Sequence, residues 1–198
     1  WLAGRLGGFQ LARPGLAVRL EVADTISDFA SGELDVAIRG TAAAWPGLVA
    51  HFLMRMPFTP LASPAFLAAR PPIGCPEDLV RMPRLSPDDD WWQLWFDSAM
   101  GAAVDARSQP GIRFESQVLM GNAAIAGHGL AVLSPPMWQA ALAAGQLVQP
   151  LPHYVHYRNS FWLVYPESKR GLAKVRAFRD WLLAEVKEAV GDDHYGVL

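Results

Sequence analysis

Arg39 and Ser116 are the side chains of this 198-residue sequence best suited to hold a small anion. Arg39 follows the short apolar run Leu34 to Ile38, and its planar guanidinium can pair bidentately with a carboxylate. Gly40, next to it, lets a ligand approach the backbone. A salt bridge is the competing use of the arginine. Ser116 precedes a helical stretch from Gln117 to Ala126, so its hydroxyl and the free N–H groups of the first turn could receive a carboxylate, helped by the helix dipole. An N-cap that binds nothing fits the same residues equally well. Gln117 is taken with Ser116 as a candidate contact. Ser63 is read as a helix cap first and a ligand-facing residue second. Of Phe161 and Trp162, one ring could close on a ligand, while core packing is expected for whichever ring points away; Phe161 is the candidate chosen.

Other residues invite chemistry and do not complete it. His128 lies between two glycines with no carboxylate or second histidine at ligand spacing, so a structural role is expected. His153 and His156 make too small a set for a metal site. Asp88, Asp89 and Asp90 read most simply as a solvated helix start. No G-x-S-x-G, phosphate-cradling loop or H-E-x-x-H occurs, and no enzyme activity, cofactor or metal is expected. Cys75, the single cysteine, excludes an internal disulfide and a Cys-rich zinc site and is expected to be inert.

The elements that must position these residues follow from periodicity. The run Leu34 to Ile38, bounded by Gly32 and Gly40, has the look of a strand buried on both faces in an open α/β sheet, where ligands bind beyond the carboxyl ends of strands. That places Arg39 and Gly40 at the strand end. Before it, Leu2, Leu6 and Phe9 recur at helical spacing up to Arg13-Pro14-Gly15, and Leu16, Val18, Leu20 and Val22 alternate as a strand would. Ile26, Phe29 and Ala30 share the face of a second helix. A βαβ unit should begin with a strand, so one is expected upstream of Trp1; the absence of an initial methionine also reads as a fragment.

Further on, His51 to Met56 and Phe58 to Ala62 read as one or two strands. Ser63-Pro64 opens a helix, and the Pro-rich passage Arg70 to Pro76 reads as a lobe boundary. Short strands are expected at Met82 to Leu85, Gly111 to Phe114, Gly129 to Leu133, Leu147 to Leu151 and Phe161 to Tyr165. Helices are expected after Asp88–Asp90, from Gln117 to Gly127, from Met137 to Gly145, and at the end, where Val175, Phe178, Leu182 and Val186 share a face. The tail from Gly191 is expected to fray. Two lobes with two crossovers, near residues 65 and 160, imply a cleft. Residues 1–64 with 164–190 are assigned to lobe I and 65–163 to lobe II.

Composition bounds the rest. A content of 52% hydrophobic and 18% charged residues is that of a globular chain, and a net charge of -2 gives no general attraction to nucleic acid or anionic membranes. Its longest apolar runs are far short of the roughly 20 residues that span a bilayer.

Five stretches in order carry a family resemblance: Gly32 to Arg39, Trp45-Pro46-Gly47-Leu48, Leu61 to Leu67, Ala126 to Leu133, and Phe178-Arg179-Asp180-Trp181-Leu182. Together they resemble the effector-binding domain of LysR-type transcriptional regulators, in the subgroup of the glycine-cleavage and β-lactamase regulators. The resemblance implies two Rossmann-like lobes arranged as in type II periplasmic binding proteins, and a small-molecule effector in the cleft. Arg39, Gly40, Ser63, Ser116, Gln117 and Phe161 are the candidate effector contacts, Ser116 matching a family position that faces the effector. It further implies a homodimer, tetrameric at full length, DNA contact only through an N-terminal helix-turn-helix absent from this chain, no membrane association, and a cytoplasmic location. The family's first strand and its Ser/Thr-bearing loop are not in this sequence. The competing reading is an exported solute-binding protein of the same fold.

Overall fold

The computed structural model describes residues 1–22, 29, 32–41, 46–101 and 104–190. In chain order its elements are α1 (Ala3–Ala12), β1 (Ala37–Thr41), β2 (Leu48–Leu61), α2 (Pro64–Ala68), α3 (Pro76–Val80), α4 (Asp90–Met100), α5 (Gln117–Ile125), β3 (Ala131–Leu133), α6 (Gln139–Ala143), β4 (Val155–Pro166) and α7 (Ala173–Val190). The strand order is β1-β4-β2-β3. Two compact units result, one of Trp1–Met56 with Arg158–Leu198 and one of Pro57–Tyr157. The long strands β2 and β4 are the places where the chain passes between them, and the Pro-rich passage Arg70 to Pro76 lies inside the second unit.

The first unit is built on helical spacing at both ends of the chain. Phe9 of α1, 2% exposed, sits edge-on to Phe178 at 5.5 Å and against Trp181 at 5.0 Å, both of α7. Val175, Leu182 and Val186 of α7 are buried with Leu53, Met54, Leu163 and Tyr165 from β2 and β4, so the final helix covers the sheet as its apolar stripe predicts. Within the unit, the His51 ring nitrogen and the Tyr165 hydroxyl are 2.8 Å apart, a polar link between β2 and β4.

A second polar link holds the segment before β1. Lys169 Nζ donates to the carbonyls of Leu34 at 2.7 Å and Gly32 at 3.3 Å and pairs with Asp35, which also takes Lys174 Nζ at 2.6 Å. Burial pushes the Asp35 carboxyl up, and hydrogen bonds and charge from Lys174 and Lys169 outweigh it, leaving the group below the usual carboxylate range. A carboxyl depressed by folding stabilises the native state above its unfolded pKa, near 3.9, and that contribution is lost as pH falls through the folded value. Because the side chain is 36% exposed, Asp35→Asn is expected to cost no more than about 1 kcal/mol at pH 7. Urea denaturation of wild type and variant over a falling pH series should show the gap at pH 7 and its progressive narrowing once the pH drops below the unfolded carboxyl value.

The second unit buries Trp92, Trp95 and Phe96 of α4 with Phe58, Leu61, Leu79, Leu130 and Leu133. Thr59, Pro60 and Leu61 at the end of β2 pair antiparallel with Leu133, Val132 and Ala131. Asp89 caps α4, its carboxylate accepting from Trp91 N at 2.9 Å, as the acidic run predicts.

Several expected strands do not form. Leu16 to Val22 is not paired, and Val18, Leu20 and Val22 are exposed, Val22 at 91%. Alternation describes two faces, but a strand exists only where a neighbour completes its ladder, and none of the described strands lies alongside. Met82 to Leu85 and Leu147 to Leu151 contribute only the isolated bridges Arg84 to Leu130 and Val148 to Ala62. Gly111 to Phe114 is a loop held by Ser86, whose N–H donates to Ile112 O at 2.7 Å and whose hydroxyl accepts from Phe114 N at 2.8 Å. Most of the expected helix through Ile26, Trp45 of the turn, and the tail from Gly191 lie outside the described residues.

Candidate functional site

Arg39 and Gly40 lie inside β1, a correction to their expected place at a strand end. The ladder with β4 runs from Ala37 to Thr41, displaced toward the C-terminus from the apolar run that announced it. The cause is local: Lys169 takes the Gly32 and Leu34 carbonyls, so the first half of the run is tied down by a side chain and not by a neighbouring strand. β1 is also antiparallel to β4 and stands at the end of the strand order with Ala37, Ile38 and Arg39 half-buried and Gly40 exposed, where a strand buried on both faces was expected.

Register then sorts the candidates of the first unit. Gly40 is opposite Phe161 and Arg39 is opposite Trp162. Successive residues of a strand point to opposite faces, so Gly40 and Phe161 share one face and Arg39 and Trp162 the other. A Cβ on Gly40 would sit 3.5 Å from the Phe161 ring and 3.6 Å from Met56 Sδ, ordinary contact distances. Phe161 packs with Ile38 against the core of the first unit. On the other face the Arg39 Cζ lies 5.5 Å from the centroid of the Phe29 ring, and Trp162 meets Phe52 edge-on at 5.3 Å.

The candidates of the second unit are organised by helix starts. Ser116 caps α5, its hydroxyl oxygen accepting from Leu119 N at 3.4 Å, and the residue is exposed. A hydroxyl that accepts at its oxygen still carries a proton to donate. Gln117 Oε1 accepts from Ser134 N at 3.0 Å, which ties the start of α5 to the segment following β3. Ser63 caps α2, accepting from Phe66 N at 3.3 Å, and is 4% exposed. Gly127, which closes α5 at φ 84°, brings its backbone close to that hydroxyl: a Cβ there would be 3.6 Å from Ser63 Oγ.

Sequence reasoning missed a polar network in the same unit. The His153 carbonyl accepts from Thr59 Oγ1 at 2.8 Å and from Trp95 Nε1 at 3.1 Å, and Gln149 Nε2 donates to Thr59 Oγ1 at 3.1 Å. Tyr154 closes it through a hydrogen bond to Gln149 Oε1. Thr59 and Trp95 are far in sequence from Gln149, His153 and Tyr154, so no local signal announces the network. The acidic run is engaged in pairing: Asp88 with Arg113 at 3.2 Å, Asp90 with Arg107, and Asp89 as the cap, its pKa raised by burial. Among the described residues no three His, Cys, Asp or Glu side chains converge as a metal site.

Cys75 is exposed at the start of α3, where its N–H donates to Asp78 Oδ2 at 3.0 Å. A hydrogen bond to Glu77, together with the Asp78 carboxylate, holds the thiol protonated and raises its pKa. Since the thiolate is the reacting species, iodoacetamide at pH 7.5 should alkylate Cys75 more slowly than it alkylates glutathione. Glu77→Gln should raise the rate; an unchanged rate in that variant would remove the explanation.

With the geometry in place, comparison with known proteins identifies the class. Residues 1–187 match the family described as LysR substrate binding domain, and the chain belongs to that family. It is 34% identical over 188 residues to the glycine cleavage system transcriptional activator of Escherichia coli strain K12, covering 93% of this chain and 60% of that protein. It is 34% identical over 184 residues to the transcriptional activator AmpR of Pseudomonas aeruginosa, covering 92% and 60%. The chain thus spans about 60% of the length of these relatives. Among solved structures, the effector domain of AmpR of Pseudomonas aeruginosa superposes with a TM-score of 0.77 at 32% identity, covering 96% of this chain and 90% of that one. The AmpR effector binding domain of Citrobacter freundii does so with a TM-score of 0.78 at 27% identity, covering 94% and 92%. The α/β fold is therefore that of LysR effector-binding domains, the periplasmic-binding-protein-like fold expected from the sequence. None of the helices among the described residues is long and apolar enough to cross a membrane.

Proposed function

We propose that this domain senses a small carboxylate for a LysR-type transcription regulator that acts in the cytoplasm as a dimer or tetramer and reaches DNA through a segment outside this chain. The observation that carries the reading is likeness along nearly the whole chain to two transcriptional activators, one of which has a solved effector domain at 32% identity. Side-chain chemistry supports the choice of a carboxylate. Arg39 supplies a bidentate cation, and Ser116 with the first N–H groups of α5 supplies the hydroxyl and dipole that favour an anion. Gln117 adds an amide and Ser63 a further hydroxyl, while Gly40 and Phe161, on the other face of the β1–β4 pair from Arg39, drop out of the proposed contacts. Effector binding acts on the regulator through differential affinity for two arrangements of its subunits.

Calorimetric titration of the chain with a panel of small carboxylic acids and the matching amides tests the reading. Saturable binding of at least one acid, weakened about tenfold or more in Arg39→Gln and not shared by its amide, is the expected result. Absence of binding to every acid would refute it.

A further inference from the structure

Among the described residues, Trp162 carries a buried donor of the β1–β4 pair whose hydrogen bond is missing. Its Nε1 is shielded from solvent and has no partner, although the ring itself is half-exposed. Indole N–H can only donate, and buried tryptophans normally find an acceptor, so a donor left without one is costly. Trp162 is opposite Arg39 in the ladder, and side chains of such pairs stand about 4.5–5.5 Å apart at Cβ. Two more rings border this pair: Phe52 edge-on to Trp162 at 5.3 Å and 81°, and Phe29 with its centroid 5.5 Å from the Arg39 Cζ. A full positive charge, a directional donor and two apolar rings are thus gathered on one face of the first unit, the face turned away from Phe161 and Ile38.

We propose that the Trp162 indole N–H and the Arg39 guanidinium together recognise a carboxylate that bears an aromatic group, with Phe52 and Phe29 flanking its ring. The inference rests on the effector reading and names the chemical class of the effector. A carboxylate has lone pairs enough to take a bidentate arginine and a third donor at once, which satisfies the orphaned N–H. Ring-to-ring contact then favours an aryl acid over acetate, which offers the same charge with nothing for the rings to hold.

Nitrogen–proton correlation spectra of the labelled 198-residue chain test this, with phenylacetate as probe and acetate and phenylacetamide as controls. The Trp162 indole cross-peak is identified by its loss in Trp162→Phe, or by sequential assignment of the wild type should that variant not fold. Expected is a saturable downfield shift of that indole proton with phenylacetate, at least about tenfold weaker apparent affinity for acetate and for phenylacetamide, and roughly ten- to hundredfold weaker phenylacetate binding in Trp162→Phe. Saturable shifts elsewhere with the Trp162 indole unmoved would overturn the inference and leave the effector reading standing. No shift with phenylacetate would also overturn it, and the acid panel judges the effector reading separately.

Discussion

Trp92→Ala should destabilise the protein by about 3–5 kcal/mol, the range for deleting a buried large aromatic side chain. Trp92 is fully buried, stacks on Phe96 at 5.8 Å, and donates its indole N–H to the Leu85 carbonyl at 3.0 Å. It also lies 5.6 Å from the Cζ of Arg84, itself only 3% exposed. Arg84 donates to the carbonyls of Leu79, Val80 and Ala106, and burial lowers its pKa, so the aromatic faces of Trp92 and Phe96 are part of what accommodates the buried charge. Removing the ring leaves a cavity, an unpaired carbonyl and a cation with one face fewer. Set against a total stability of about 5–15 kcal/mol, the loss leaves the second unit near the edge of folding. Trp92→Phe keeps most of the volume and should cost about 1–2 kcal/mol. Urea denaturation followed by circular dichroism gives both numbers, and a loss under about 1 kcal/mol for the alanine variant would contradict the packing described.

Gly121→Ala sets two opposed effects against each other. In the middle of a helix alanine is favoured over glycine by about 0.5–1 kcal/mol. Gly121, however, lies under the Trp138 ring: a Cβ would stand 2.0 Å from Trp138 Cζ2 and 2.3 Å from Cη2, far inside contact distance. A rigid indole cannot yield that much by a rotation of its end, so α5 and the segment carrying Trp138 must separate, and overpacking of this kind costs about 1–3 kcal/mol or more. A net loss of about 1–2 kcal/mol is expected from the difference. Because α5 carries Ser116 at its cap and Gln117 on Ser134, the shift should also weaken effector binding with every candidate contact still present. Trp138→Leu in the same chain should restore part of the stability; if Gly121→Ala is instead more stable than wild type, the close approach is refuted.

Helices were more legible in the sequence than strands, for a physical reason. Ser63, Asp89 and Ser116 each mark a helix start because the cap is a bond between neighbours in sequence, and Gly127 and Gly145 mark ends because positive φ is a local property. The stripe of Val175, Leu182 and Val186 was equally local. Strands depend on partners elsewhere. Leu16 to Val22 has the alternation and no ladder, whereas the stretch from His51 to Ala62, open in the sequence as one strand or two, is part of a single strand, β2, from Leu48 through Pro57 and Pro60 to Leu61. The candidate site divides the same way. Ser63 and Ser116 could be placed on helix starts from neighbouring residues. The separation of Arg39 from Gly40 and Phe161 onto opposite faces needed the β1–β4 register, and the orphaned indole of Trp162 needed the packing around it.

Acid binding to this domain is expected to be coupled to DNA binding by the full-length protein. The most direct measurement is fluorescence anisotropy of the regulator's own promoter DNA titrated with the full-length protein, with and without the tightest-binding acid of the panel. The expected result is a change in apparent affinity of about fivefold or more, or a change in the salt dependence or size of the complex, lost in Arg39→Gln. Identical DNA binding with the acid bound and absent would contradict it.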